Sequence, residues 1–563
     1  MKPFSTSLAH VIALFFLCSF PLAAQPGALV PCFNTGTGFN GNTDSFIPLP
    51  TGKILCAGNF TSYNGTPANR ICRLNADGTL DTDFSAAAAI DNEIYRMTVL
   101  ANGQILISGS FTAPKAGIAR LNADGSVDAT FNMLGTGINL GGIHSFAVQT
   151  DGKIVVTGGV TIGFTHYNGV QVNGIARLNA DGSLDAAFNS GPTSGLNNGL
   201  LTSNLNVVAM QPDGKILVGG DFTTYKGAAV PRGIIRLNSD GSRDNTFNPG
   251  STGGVSGFTA SVGFPIIVQP DGKILICGAF SMYNSSPRNH LARLNADGSP
   301  DNTFNPAGPN VPNVTMAQLP DGRLLVTGDF TTYDGVARGR VALVSSNGNL
   351  DPSFNPVGSN GFTWTCRVLP DGTAMLGGQG GAFTTYNGTT VNGIARIWLT
   401  APASISSTSP LRNTHNNALS TPLNLNFTQA MNAGTASQSA FRVWGGMSGL
   451  RSGTYSGGGT STIGFTPTQA YKPGELVSAT LLCGALTSTG APVQPSVVQF
   501  RARATGGVGI FPGQSLGSPF YLGATTTPIG IAAADFDNDG DADIVTADNF
   551  GAAQRVSVMP HER

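Results

Sequence analysis

The sequence predicts an all-β chain: a seven-bladed β-propeller, then a small β-sandwich, then one incomplete blade. Three observations predict it. A unit seen most fully at residues 211–248, QPDGKILVGGDFTTYKGAAVPRGIIRLNSDGSRDNTFN, recurs from near the N-terminus to about residue 400. Its turn glycines, Gly52, Gly103, Gly152, Gly214, Gly272, Gly322 and Gly372, lie 51, 49, 62, 58, 50 and 50 residues apart, the range of a propeller blade. Within each copy, short β-rich runs alternate with turn signals and no 3.6-residue periodicity appears.

Within a copy, an apolar run such as residues 146–149 meets Pro-Asp-Gly or its equivalent, and KILVGGDF or a variant follows, which reads as a hairpin. A variable TTYNG loop leads to a third run, GIARLN, and the turn Ala-Asp-Gly leads to a fourth, SLDxxFN. In the first such turn Asn75 suits the opening position of a type I turn and Gly78 the left-handed residue that closes it. That register sets Leu74 opposite Leu80 and Arg73 opposite Asp81. The same pair recurs as Arg120 with Asp128, Arg177 with Asp185, Arg236 with Asp244 and Arg293 with Asp301, so one cross-strand ion pair per blade is expected. The sixth copy departs, with Leu343 in place of the arginine and only Asp351 remaining.

The first three runs occur seven times, but the SLDxxFN run follows only six of them, at Phe84, Phe131, Phe188, Phe247, Phe304 and Phe354. The segment ALVPCFN, with Leu29, Phe33 and Asn34 at matching spacing, is expected to supply the missing strand to the last blade and close the ring, leaving no unpaired edge. These units, with QPDGKILVGGDF and RLNADGSLDxTFN, resemble the delta-60 repeats of bacterial β-propellers over residues 27–400. The resemblance implies a propeller at residues 25–400 and carries no general activity with it.

Residues 1–24 hold one Lys, the apolar run VIALFFLCSF and small residues before Gln25, which reads as a secretory signal peptide cut after Ala24. The run is shorter than the roughly 20 residues that span a bilayer, and the mature chain is expected to have no transmembrane segment. Charged residues are 11% of the chain, the formal net charge is -1 and glycine numbers 76 of 563. No basic patch is present to neutralise phosphates, which argues against nucleic acid as a partner. Six cysteines follow the signal, Cys32, Cys56, Cys72, Cys277, Cys366 and Cys483, with no CxxC metal pair. Cys56 and Cys72 fall on neighbouring strands of one blade, as a disulfide or as small buried thiols.

Residues 401–504 read as alternating short strands with polar turns, ASIS, PLNLNFT, SAFRVWG, TIGFTP, LVSATLL and VVQFRA. SPLRNTHNNALSTPLNLNFTQAMN, FTPTQAYKPGE and the closing VVQFRA resemble the bacterial Ig-like domain of surface-layer and secreted proteins, which implies a β-sandwich used as a spacer or adhesive module. Residues 505–563 change again. DFDNDGDAD places the carboxylates Asp535, Asp537, Asp539 and Asp543 at positions 1, 3, 5 and 9, with Gly540 bending the loop and the Asp541 carbonyl at position 7, a set of hard oxygens suited to Ca²⁺. Thr546 stands where an EF-hand needs Glu. The surrounding SPFYLGATTTPIGIAAADFDNDGDADIVTADN resembles the FG-GAP or VCBS repeat, which implies an incomplete FG-GAP-type blade carrying a calcium loop.

Apparent catalytic motifs lack their context. GxSxG at residues 513–517 has no strand before it or helix after it, and GxGxxG at residues 36–41 lies in an inter-blade loop of an all-β region. His10, His144, His166, His290, His415 and His561 are scattered without ligand spacing and read as surface or packing residues. Tyr63, Tyr167, Tyr225, Tyr283, Tyr333 and Tyr386 recur at one blade position, which favours packing over a carbohydrate-stacking rim. No catalytic or organic-cofactor residue is assigned. The irregular loops at residues 162–173, 196–205 and 250–263 carry no acid or base except His166. The expectation is therefore a monomeric, non-catalytic protein, secreted or on the surface of a bacterium, that presents the propeller as a binding, adhesion or scaffold surface to a glycan or protein ligand. The alternative is an extracellular carbohydrate-active enzyme, a lyase or glycosidase, working in the propeller funnel.

Overall fold

Each Pro-Asp-Gly or equivalent turn joins an inner strand to a second strand, and the second strand pairs antiparallel with a third. In the first repeat these are Thr43–Pro48, Ile54–Gly58 and Ile71–Leu74. The computed structural model describes residues 25–84, 90–159, 164–188, 195–197, 207–248, 253–257, 263 and 265–504, and the backbone of three further strands, Thr527–Ala534, Asp543–Phe550 and Ala553–Met559. The signal peptide and GxSxG lie outside the described residues. The chain divides into two compact units, Met1–Pro402 and Ala403–Arg563. No α-helix occurs among the described residues, and no helix there is long and apolar enough to cross a membrane.

Seven sheets of this three-stranded pattern occur among the described residues of the first unit. The second strand is buried at every residue in all of them, because a neighbouring sheet covers each of its faces. That is why KILVGG-type runs are apolar without alternation. Seven hydrophobic clusters fill the junctions between successive sheets, and each contains one phenylalanine of the repeat: Phe84, Phe131, Phe188, Phe247, Phe304 and Phe354. The seventh cluster holds Phe33 from the N-terminal segment, packed between Ile54 and Cys56 of the first sheet and Met375 and Trp398 of the last.

The N-terminal segment lies on the last sheet as expected. Leu29 bridges Ile397 antiparallel, the Gly27 N–H donates to the Trp398 carbonyl at 2.7 Å, Trp398 N–H donates to Ala28 at 2.9 Å and Val30 N–H donates to Arg396 at 2.9 Å. Arg396 stands over the Phe33 ring at 5.7 Å, as Arg73 stands over Phe84 at 5.0 Å.

The expected arginine–aspartate pairs form on one face. Arg73 meets Asp81, and the separations are 2.7 Å for Arg120–Asp128, 2.8 Å for Arg177–Asp185 and Arg236–Asp244, and 2.7 Å for Arg293–Asp301. Lys53, Lys153, Lys215 and Lys273, just past the first turn, share the carboxylates of Asp81, Asp185, Asp244 and Asp301 at 2.7–2.9 Å. The arginine does a second job. Its Nη1 donates to a turn carbonyl of the next sheet, from Arg73 to Ala123 at 3.1 Å, from Arg120 to Ala180 at 2.8 Å and from Arg236 to Ala296 at 2.6 Å. Arg396 of the last sheet reaches Ala76 of the first at 2.9 Å and closes the series. The sixth sheet, with Leu343 in place of the arginine, lacks this link, and there Arg323 pairs with Asp351 at 3.1 Å.

Two expectations need correction. The SLDxxFN run is not a full fourth strand. It makes a single bridge, Leu74 to Leu80 in the first copy, and then curls, because the aspartate captures its own turn: Asp81 Oδ1 accepts from Asp83 N–H at 3.2 Å and Asp128 Oδ1 from Thr130 N–H at 3.0 Å. The curl delivers the phenylalanine to the next junction. The TTYNG stretch is not an open loop but a two-residue hairpin, Ser62–Tyr63 with Thr66–Pro67 in the first copy, closed by Asn64 and Gly65 at φ 49° and 74°, the signature of a type I′ turn. Cys56 and Cys72 are directly opposed across two strands, yet both are free buried thiols, as are Cys277 and Cys366. Burial pushes the Cys366 thiol up to about 12.

In the second unit two four-stranded antiparallel sheets form the expected sandwich. Strands Leu423–Phe427, Phe441–Gly445 and Leu476–Leu481 alternate buried with more exposed residues, and Leu425, Val443, Phe465, Val477 and Phe500 meet in the core. Glu475 of YKPGE is fully buried. Its carboxylate accepts from Ser448 Oγ at 2.5 Å, Lys472 N–H at 2.8 Å and Met447 N–H at 3.0 Å, which hold its pKa below the ordinary value although burial pushes it up. The strands Thr527–Ala534, Asp543–Phe550 and Ala553–Met559 form an antiparallel meander. Asp543 opens the middle strand, and Asp535, Asp537, Asp539 and Asp541 lie outside the described residues.

Candidate ligand site at one mouth of the propeller channel

The inner strands carry the variation that the repeats otherwise suppress. Eight residues before each turn glycine stand Asp44, Tyr95, His144, Asn206, Phe264, Val314 and Trp364. Asn206 and Phe264 lie outside the described residues. In the sixth sheet the position is regular: Val314 pairs with Gly328 and Thr315 with Thr327. In the first, second, third and seventh sheets the ladder skips it. The pairing jumps from Thr43 to Ser45, from Ile94 to Arg96, from Ile143 to Ser145 and from Thr363 to Thr365. Asp44, Tyr95, His144 and Trp364 are therefore each the extra residue of a β-bulge, a device that re-aims a side chain. A glycine ends the second strand of all four bulged sheets and lets the inner strand pass close: a Cβ on Gly58 would lie 2.0 Å from the Asn42 carbonyl, and one on Gly109 would lie 2.0 Å from that of Glu93.

The four bulged residues line one cavity of about 510 Å³, together with Glu93, Arg96, Phe362 and backbone of the fifth and sixth sheets. This is within the size range of small-molecule sites. A second cavity of about 1070 Å³ is lined by Phe46, Met97, Met210, Met316 and the turn prolines Pro48, Pro270, Pro320 and Pro370. Arg96 lines both and so stands between the two mouths of the channel. Its Nη1 donates to the Asp44 carbonyl at 3.1 Å and to that of Tyr95 at 3.2 Å, tying the first two inner strands together.

The electrostatics of the smaller cavity follow from that packing. Burial first, and then the neighbouring Glu93 carboxylate, raise Asp44 well above the ordinary carboxylate range, with Arg96 pulling the other way. Burial, helped by the Arg96 charge, brings His144 down to about 4, so its ring is neutral near pH 7. Asp44 Oδ2, beside the Glu93 carboxyl, and His144 Nδ1 are shielded from solvent, and His144 Nδ1 has no hydrogen-bond partner within the protein. Aromatic faces complete the wall: Tyr95 lies 5.2 Å from the His144 ring, and Phe362 lies 4.4 Å from Trp364, whose surface is 43% exposed.

The sequence assigns no site residue here. The recurring tyrosines are packing residues: Tyr63, Tyr167, Tyr225, Tyr283 and Tyr333 are buried and donate to the carbonyls of Gly78, Gly182, Gly241, Gly298 and Gly348 at 2.6–3.0 Å. Tyr386 donates to Gly27 of the closing segment at 2.9 Å. His290 packs with Nδ1 3.3 Å from the Gly278 carbonyl, whereas His144 is no mere packing residue, because the bulge turns it into the cavity. The GxGxxG glycines at residues 36–41 pack on Asn64 and Asn392 in an inter-blade loop. Of the irregular loops, residues 164–173 are described, with His166 paired across a short hairpin to Gln171 and its Nδ1 2.9 Å from Thr165 Oγ1, whereas residues 198–205, 250–252 and 258–262 lie outside the described residues; among those described no three His, Cys, Asp or Glu side chains gather to hold a metal. Aligning the seven copies on their turn glycines and asking where they disagree would have found Asp44, Tyr95, His144 and Trp364.

Six segments, residues 49–84, 100–131, 149–188, 211–247, 269–304 and 319–354, match the family described as a domain of unknown function (DUF5122) beta-propeller. Residues 399–501 match the bacterial Ig-like domain. No curated protein matches the chain. Among solved structures, CopC from Methylosinus trichosporium OB3b is 14% identical over 19% of this chain and 98% of its own, with a TM-score of 0.16. The LD transpeptidase LdtMt1 in complex with imipenem is 17% identical over 18% of this chain and 40% of its own, at 0.14. The N-terminal part of the bacterial S-layer protein SbsC is 11% identical over 29% of this chain and 44% of its own, at 0.15.

Proposed function

Because residues 49–354 carry repeats of the DUF5122 β-propeller family and residues 399–501 are a bacterial Ig-like domain, we propose that the protein is an exported, non-catalytic binding protein of the bacterial surface or surroundings. Its propeller holds a ligand, a glycan or a protein, at the mouth lined by Asp44, Tyr95, His144 and Trp364. The observation that carries this reading is the set of four bulges confined to one repeat position, which breaks ladder regularity only where side chains turn into a cavity. The sandwich serves as the spacer or adhesive module. Screening the mature chain on glycan and peptide arrays tests the reading. Specific retention that is lost in the double variant Asp44→Ala, Trp364→Ala supports it, and retention unchanged in that variant refutes it.

The adjoining carboxyls of Asp44 and Glu93 raise a second reading, a carbohydrate-active enzyme. Glycosidases hold their two carboxyls about 5–5.5 Å or more apart, on either side of the scissile bond. Here burial, and then the adjoining Glu93 carboxylate, raise Asp44. Release of reducing or unsaturated sugar ends by the purified chain would establish the enzymatic reading instead.

The loop at residues 535–543 is proposed to hold Ca²⁺ through Asp535, Asp537, Asp539 and Asp543 and the Asp541 carbonyl, from the spacing of its oxygens. Calorimetric titration of the full chain with Ca²⁺ is expected to give a saturable heat that disappears in the Asp537→Ala, Asp539→Ala variant. Equal heats in both proteins would dismiss the site.

A further inference from the structure

We infer that the smaller mouth of the channel takes the end of an uncharged saccharide chain, an inference that rests on the binding role proposed above and specifies its ligand. Three features select this class. The recess of about 510 Å³ has room for one or two sugar rings, whereas a stable protein partner needs on the order of 800 Å² of surface on each side. Its charges compensate internally. The Glu93 carboxyl and that of Asp44, which burial and then Glu93 push toward its neutral form, face a single guanidinium, that of Arg96, and His144 adds no charge. An ammonium group would meet Arg96 and an anion would meet the carboxyls, so either would bring an uncompensated charge into a half-buried site.

The polar atoms left over fit hydroxyl groups. His144 Nδ1 is buried and lacks a partner, Asp44 Oδ2 is buried beside Glu93, and each acts as donor or acceptor according to its proton. A sugar hydroxyl both donates and accepts, so it satisfies either state, and adjacent hydroxyls on one ring can reach both atoms. The open face of Trp364, braced by Phe362, offers a flat apolar surface to the C–H face of the ring. Satisfying the orphaned His144 nitrogen is the contribution that a wholly apolar ligand could not make.

The test is calorimetric titration of the full chain, with tryptophan fluorescence in parallel. The probes are neutral di- to tetrasaccharides of glucose, galactose, mannose and N-acetylglucosamine, set beside galacturonate and glucosamine oligomers of the same length. At least one neutral series is expected to bind at least tenfold more tightly than the charged ones. Trp364→Ala and, separately, Asp44→Ala are each expected to weaken that binding at least tenfold with the melting temperature kept within a few degrees. Because Trp364 is partly exposed, its truncation leaves the fold intact, and Asp44→Ala supplies a second readout that does not alter the stacking face. Preferential binding of the uronate or the amine series, lost in Trp364→Ala, overturns the ligand class and leaves the binding site standing. Failure of every saccharide, with a peptide retained on the array and released by the same variants, likewise overturns the inference alone. Saccharide binding indifferent to both substitutions overturns the inference and the site together.

Discussion

Deleting residues 25–34 is expected to remove cooperative thermal unfolding from the propeller. The segment contributes the buried side chains of Val30 and Phe33, three backbone hydrogen bonds to the last sheet and the Tyr386 hydrogen bond to Gly27. At about 1.5–3 kcal/mol per buried side chain and about 1 kcal/mol per hydrogen bond, the loss is on the order of 7–10 kcal/mol. That is comparable with the whole stability of a typical domain. It also exposes an apolar junction on both sides, so the truncated chain should aggregate on warming. Differential scanning calorimetry of the two proteins decides the matter: a single transition at the same temperature in both would show that ring closure is not needed. The point substitution Phe33→Ala tests the same junction more gently, with an expected cost of about 3–5 kcal/mol.

The second large effect is expected at the carboxylates that gather the arginine and lysine of each sheet. Asp301 accepts from Arg293 at 2.7 Å, Lys273 at 2.9 Å and Thr303 Oγ1 at 2.7 Å, and it is almost wholly buried. Asp301→Ala strands the buried Arg293 guanidinium, at an expected cost of about 3–5 kcal/mol in urea denaturation. The same carboxylates set the acid limit of the fold. Burial pushes Asp81 up, but hydrogen bonds from Lys53 and Arg73 outweigh it and hold the group at about 2; Asp128 is held at about 2 by Thr130 and Arg120 against the same burial. Unfolded aspartates titrate near 3.9. With native pKa values depressed, the stabilisation is fully present above about pH 4 and is lost as the pH falls toward 2. Unfolding free energy should therefore be level with respect to these groups from pH 7 to 5 and fall steeply between pH 4 and 2. A curve without that fall would show that the pairs leave stability unchanged.

Much of the propeller was legible because its repeat states the same physics many times. The Arg73–Asp81 register followed from one turn, since Asn75 and Gly78 fix the loop and the loop fixes which residues oppose. Ring closure followed from a count of phenylalanines, and the structure shows why the count works: each junction needs one, and Phe33 fills the seventh. The candidate site was hidden for the converse reason. Reading repeats for what they share discards the one position at which they differ, and Asp44, Tyr95, His144 and Trp364 are far apart in the chain until the ring assembles them. The bulges themselves leave no local signature, because whether an inner strand carries an extra residue depends on its register against the second strand. The single-bridge fourth segment was read as a strand because SLDxxFN alternates in the right way; the Asx turn at the aspartate overrides that pattern.

The closing segment and the last strand of the seventh sheet run antiparallel, so residues 27 and 398, at the entry to and the exit from the ring, lie side by side. Tension applied between these two points loads the Gly27–Trp398 hydrogen bond first, and the Val30–Arg396 bond only after it has parted. The joint thus peels one link at a time instead of resisting in shear. Pulled in this way, the ring would open at a single defined seam while its other six junctions stay whole.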